Sequence, residues 1–262
     1  MQCKEIIDIL EQEVPLDAAQ SWDNPGFLVG DKEQEVKKIL VVLDITNEVV
    51  ELAIREHVDF ILAHHPIIFS KIQKCTSEDF LQKKLLKLIR HGISCYGMHT
   101  NYDVYRMCDA AAKRLDLPMD KPVEESTAYE PMMEKKGIGT IGTLEQPVIL
   151  KEYAQKVKEA FHLEAVTVYG DLDCKIQTIA MIPGSGRSMI KDAAKKGANV
   201  LITGDIGHHE GLDAIDMGMT VIDAGHHGLE HVFIEDMGSV LKNRLPECEI
   251  VTYDGGCPYH II

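Results

Sequence analysis

Residues 43–66 read LDITNEVVELAIREHVDFILAHHP. The stretch leaves a β-branched run, KKILVVLDI (37–45), with the composition of a buried strand. Thr46 is a helix-capping residue type, and TNEVVELAIREH follows it with helical character. VDFILA (58–63) is again a strand, and it ends on two adjacent histidines, His64 and His65. Strand, helix, strand is one βαβ unit, which implies parallel pairing.

Working outward, the same alternation continues. Ile6, Ile7, Leu10 and Val14 recur at helical spacing near the start. SEDFLQKKLLKLIRHG (77–92) reads as a helix from a Ser77 cap to Gly92, ISCYG (93–97) as a strand and YRMCDAAAKRL (105–115) as a helix. Residues 118–136 hold three prolines and no clean periodicity, and are expected to cross between domains. Beyond them come strands at 137–144, 165–170, 176–182, 199–204, 219–223 and 249–253. Helices are expected at 150–161, 187–197, 210–218 and 229–245. The expectation is an α/β protein of two related α/β domains, 1–125 and 126–262, with the last helix and strand packing back on the first.

A second stretch, IPGSGRSMIKDAAKKGANVLITGD (182–205), lines up with the first at an offset of 140: Ala53 with Ala193, Asp59 with Asn199, Ala63 with Thr203. Each is followed by a helix and a strand leading to a histidine-bearing loop, GISCYGMHTNYD (92–103) and GMTVIDAGHHGLE (218–230). A duplication and the generic likeness of βαβ units both account for this.

The chain has 262 residues, with 27 Lys plus Arg against 42 Asp plus Glu, a net charge of −15. That charge repels phosphate backbones and anionic lipid, so nucleic-acid and membrane partners are disfavoured. No apolar run reaches the ~20 residues of a membrane span. The first residues, MQCKEIIDILEQEVP, lack the pattern of a signal peptide, and a cytoplasmic location is expected. Seven cysteines without a C-x-x-C pair argue against a disulfide framework or a thiolate zinc site.

In open α/β sheets, ligands sit beyond the carboxyl ends of strands. Four such ends carry HHP (64–66), HTNYD (99–103), TGDIGHH (203–209) and GHHGLE (225–230). They hold, or closely precede, eight of the twelve histidines, accompanied by Asp103, Asp205, Glu210 and Glu230. A lone His–His pair also serves as a structural hydrogen-bonded pair, and H-x-x-x-E on a helix is also a solvated face. Their coincidence across four loops favours a metal site. Imidazole and carboxylate suit zinc, manganese or iron. His226 and Glu230 stand i, i+4 at a helix start and share a face. With His64, His65 and Asp103 they are too many for one open tetrahedral site. Two cations about 3.5–4 Å apart, bridged by Glu230, fit better. His99, Asp205 and His208 are candidate proton carriers or residues that orient the ligands. Trp22, in WDNPGF, either stacks on a planar substrate or, the simpler reading, packs a core edge. PGSGRS (183–188) reads as a tight turn rather than a phosphate loop.

SWDNPGFLVG (21–30), HHP, HTNYD, PGSG, TGDIGHH and GHHGLE, in that order, resemble the GTP cyclohydrolase 1 type 2 homologue family, also called Nif-three-like. The motifs span nearly the whole chain. Phe27 replaces a commoner leucine, a conservative change. The resemblance implies a two-domain α/β fold, a dinuclear metal centre in the interdomain cleft and a ring-shaped homohexamer. Matching motif to motif, it gives His64, His65, Asp103, His226 and Glu230 as ligands of two divalent ions. Some relatives carry an inserted domain, for which 118–136 leaves no room. The expected function is metal-dependent hydrolysis of a nucleotide or related heterocycle. The alternative is a non-catalytic protein that stores, delivers or senses metal, or serves as a scaffold.

Overall fold

The computed structural model describes residues 1–125 and 136–262. In chain order the first elements are α1 (Cys3–Glu13), β1 (Gly26–Val29), β2 (Lys38–Val42), α2 (Asn47–Arg55), β3 (Phe60–Ala63), α3 (Phe80–Arg90), β4 (Ser94–Gly97) and α4 (Thr100–Tyr102). Then come α5 (Cys108–Leu115), β5 (Lys121–Glu125), β6 (Gly137–Ile149), α6 (Leu150–Ala160), β7 (Thr167–Tyr169), β8 (Lys175–Ser185) and α7 (Ile190–Lys195). The rest are β9 (Val200–Gly204), α8 (His208–Asp216), β10 (Thr220–Asp223), α9 (His226–Glu230), α10 (Val232–Arg244) and β11 (Glu249–Thr252). No helix among the described residues is long and apolar enough to cross a membrane.

Two compact units result. One holds Met1–Tyr102 and Phe233–Gly255, the other Asp103–Val232 and Gly256–Ile262. The first contains a sheet of order β1-β4-β3-β2-β11, parallel except for β1. Leu40, Val42, Ile61, Val50, Ala53 and Leu88 form its buried core. The second contains a sheet of order β5-β6-β8-β9-β10-β7. Here only β8, β9 and β10 run parallel; β5, β6 and β7 pair antiparallel. The expectation of largely parallel sheets therefore holds for the first unit and not for the second.

The two units share more than a βαβ pattern. Ile39 pairs with Phe60 and Ile179 with Val200; Phe60 pairs with Ser94 and Val200 with Thr220. The antiparallel β1 lies beside β4 as β7 lies beside β10. Asp59 accepts hydrogen bonds from the backbone N–H of Lys37 and Lys38, at 2.8 and 3.0 Å. Asn199 accepts the equivalent pair from Gln177 and Thr178, at 3.1 and 2.9 Å. The two units thus share one strand register and one capping geometry.

Local differences from the sequence expectation have physical causes. The cap of α3 is Asp79, whose carboxylate accepts from the N–H of Leu81 and Gln82, rather than Ser77. Residues 121–125, read as part of a crossing segment, form β5, an edge strand that tolerates Pro122 because one of its sides needs no donor. The remainder of that segment, 126–135, lies outside the described residues. Residues 26–29, to which the sequence pattern assigns no strand, form β1. The helix expected at 229–245 is two helices, α9 and α10. Four of the cysteines, Cys3, Cys95, Cys108 and Cys248, are buried, and all seven are free thiols.

Candidate metal centre

In the first unit, β3 ends at Ala63 and the chain bends, so two consecutive side chains join one cluster. Ladder-like bonds hold their backbone: His64 N–H donates to Val42 O and His65 N–H to Leu43 O, at 3.2 and 3.0 Å. His64 is fully buried, and its Nδ1 donates to Met98 O at 2.8 Å. His65 Nδ1 donates to Asp44 Oδ1 at 2.8 Å. His99, just past β4, donates from Nδ1 to Asp23 Oδ1 at 2.8 Å. One nitrogen from each of His64, His65 and His99 lies within 4.8 Å of the others. Asp23 also accepts from Thr100 N–H and Oγ1, at 3.0 and 2.6 Å. Burial alone would raise its pKa, but the bonds from His99 and Thr100 outweigh it and hold the carboxyl at about 2.

In the second unit, the loops after β8, β9 and β10 meet. Asp223 ties two of them together by accepting from Ile206 N–H and Gly225 N–H, each at 2.9 Å. His226 opens α9 and donates from Nδ1 to Asp205 Oδ2 at 2.7 Å, while its Nε2 lies 2.9 Å from Glu230 Oε2. Glu230 is 4% exposed. Gly184, in PGSGRS, has φ +74°, and a Cβ there would meet Glu230 Oε1 at 2.1 Å. The stretch is not a phosphate loop: Gly184 and Ser185 still belong to β8, and Gly186 N–H donates to Thr203 Oγ1. Asp103 opens a five-residue π-helical turn, Asp103–Met107, the kind of irregularity common at functional sites. An Asp103 carboxylate oxygen comes within 4.8 Å of one from Glu230.

These clusters fit divalent cations. A carbonyl or carboxylate takes the Nδ1 hydrogen of His64, His65 and His226, so the neutral ring carries its lone pair at Nε2. Metal-binding imidazoles are normally held in this way. Asp103 and Glu230 place two carboxylates close together in a largely buried setting, an arrangement that a cation stabilises. Asp205, a candidate proton carrier, serves here to hold His226. His208 is the exposed first residue of α8, and its ring packs edge-on against His209. His227 and His231 stack on each other, and Arg114 donates to His231 Nε2 at 3.0 Å.

Residues 1–255 match the family described as Duf34/NIF3 (NGG1p interacting factor 3). The chain belongs to that family. A relative from Clostridium acetobutylicum, named GTP cyclohydrolase 1 type 2 homolog, is 35% identical over 254 residues, covering 96% of this chain and 94% of its own. A relative of the same name from Methanocaldococcus jannaschii is 31% identical and covers 97% and 100%. Among solved structures, a Bacillus cereus protein related to NIF3 superposes with a TM-score of 0.90 at 22% identity, covering 100% of this chain and 99% of that one. That last likeness supports the NIF3 fold alone.

Sequence reasoning did not find Asp44, Asp23 or the room that Gly184 makes for Glu230. Asp23 and Gly184 lie in motifs that drew attention for other reasons. Asp44 carries no pattern of its own, only its place at the end of β2.

Proposed function

We propose that this NIF3-family protein holds two divalent cations through His64, His65, Asp103, His226 and Glu230. We further propose that it uses them to hydrolyse a nucleotide or a related heterocycle. The observation that carries the reading is the fixing of all three imidazoles through Nδ1, by Met98 O, Asp44 and Asp205, which turns Nε2 into the donor atom. When bound, two such cations would supply Lewis acidity for activating water toward hydrolysis. His99, locked on Asp23, presents its other nitrogen beside His64 and His65 and is the assigned proton carrier. Asp205 orients His226, and the exposed His208 is the alternative carrier. The substrate class rests on the name shared by the curated relatives, an analogy rather than a geometric argument. A homohexameric ring and a cytoplasmic location complete the proposal. The ring rests on family resemblance, and the location on the seven free thiols, which suit a reducing compartment.

The test begins with chelator-stripped protein reloaded with manganese, zinc or iron. Metal content should reach two ions per chain, and a nucleotide panel should reveal turnover. His64→Ala and Glu230→Gln should each lose metal and turnover together. Full loading with no turnover on any substrate would leave a metal-binding or metal-delivery protein. Failure to load would end the proposal.

A further inference from the structure

Trp22 is the only tryptophan of the chain and is 61% exposed. It does not pack a core edge, the simpler expectation from sequence. Its backbone is nevertheless pinned on the side that follows it. Asp23 holds His99 and Thr100, and Asn24 donates from Nδ2 to Ile68 O at 2.6 Å. One anchor reaches the loop that bears His99, the other the loop that bears Phe69. Phe69 is 54% exposed, and its ring centroid lies 6.1 Å from that of Trp22. Both rings meet His99 nearly edge-on, each at 6.2 Å. His99 in turn lies 5.3 Å from the His64 ring and 5.6 Å from the His65 ring. Two large apolar rings are thus held in water on a fixed loop pair, continuous with the imidazole cluster. Rigid, exposed aromatic side chains beside polar groups are typical of binding surfaces.

We propose that Trp22 and Phe69 form a stacking wall for the planar ring of a heteroaromatic ligand of the purine-base type, with His99 reading the rim of that ring. The chemistry selects this occupant. Asp23 takes the Nδ1 hydrogen of His99, so Nε2 offers a lone pair and is matched by an N–H donor on the ligand. A nucleobase combines such a donor with an apolar π-face; a sugar or an aliphatic acid does not. A bare phosphate is disfavoured by that lone pair, by buried Asp23 and by the net charge of −15. This inference rests on the proposed function, because it supplies the substrate class for that same centre.

Trp22 reports on its own occupancy, since no other tryptophan contributes. Guanosine, added to the full-length protein with and without manganese, should quench its emission saturably, while ribose 5-phosphate should leave it unchanged. Phe69→Ala keeps the reporter and should weaken guanosine binding about fivefold, and Trp22→Ala, followed by calorimetry, about tenfold or more. Trp22→Phe should restore most of the loss, and it carries the test if Trp22→Ala fails to fold. Metal content should match wild type in every variant. Metal-loaded protein that ignores guanosine, or responds equally to ribose 5-phosphate, overturns the stacking wall and leaves the metal centre standing. Protein that takes up no metal overturns the proposed function instead. If Trp22→Ala changes the sedimenting mass and not guanosine affinity, the wall is a contact between copies and the inference is wrong.

Discussion

Gly184 leaves the place of its missing side chain to the Glu230 carboxylate: a Cβ there would stand 2.1 Å from Oε1. The backbone at φ +74° also disfavours any L side chain. Gly184→Ala should therefore displace Glu230 and strain the β8 backbone together. The strain should cost about 1 kcal/mol, a fall of a few degrees in Tm by circular dichroism. Metal affinity should fall more steeply, by roughly 10-fold or more, by analogy with the loss of groups that orient ligands. Equilibrium dialysis with elemental analysis measures it. Unchanged metal content would remove Glu230 from the ligand set.

Asp44 and Asp205 perform the same service for His65 and His226, each accepting an Nδ1 hydrogen. An amide in place of either carboxylate removes the charge that raises imidazole basicity and keeps the shape. Asp44→Asn and Asp205→Asn should each weaken metal binding by roughly 10–100-fold. Asp205 has φ +59°, a conformation that asparagine accepts more readily than most residues, so this variant should fold normally. Competition with a chromogenic chelator reads the affinity, and a melting curve checks the fold. Wild-type affinity in both variants would mean that the two carboxylates are ornamental to the site.

The capping geometry shared by the two units offers a test of a different kind. Asp59 and Asn199 each cap two backbone N–H groups at equivalent register. Only an acceptor oxygen of the right reach is needed, so Asp59→Asn and Asn199→Asp should change stability by less than about 1 kcal/mol. Alanine at either position strands two donors and should cost about 1–2 kcal/mol. Urea titration of the four variants reads the difference. Equal losses from the amide and alanine variants would show that the charge, rather than the shared geometry, matters at position 59.

Much of this was legible in the sequence because it is local. The β2-α2-β3 unit announces itself through a β-branched run, a Thr46 cap and a second apolar run. The donor loops announce themselves because histidines cluster only where strands end. What stayed hidden depends on distant partners. Glu230 needs the absence of a side chain at Gly184, 46 positions away, which a turn-like PGSG does not disclose. β1 is four residues long, starts directly after Pro25 and exists because β4 offers it an edge. Pro122 hid β5 because proline argues against a strand unless the strand lies at an edge, and edges are a property of the assembled sheet. The exposure of Trp22 was equally unreadable, since an aromatic residue that packs a core and one held in water look alike in one dimension.

Asp23 makes the protein's stability depend on acid. Its side chain is buried, and its carboxyl is held at about 2, below the ordinary 3.8, by bonds from His99 and Thr100. A group whose pKa is depressed on folding stabilises the native state above its unfolded pKa, and the contribution vanishes as pH falls through the native value. The window is therefore pH 4 down to about 2. Above it, the ionised carboxylate contributes on the order of 2 kcal/mol. Asp23→Asn should melt several degrees below wild type at pH 6, with the gap narrowing as pH falls below 4 and nearly closed by pH 2. Paired thermal melts of the two proteins across that range measure it. A gap that stays constant down to pH 2 would show that Asp23 acts through shape alone, with its charge contributing nothing.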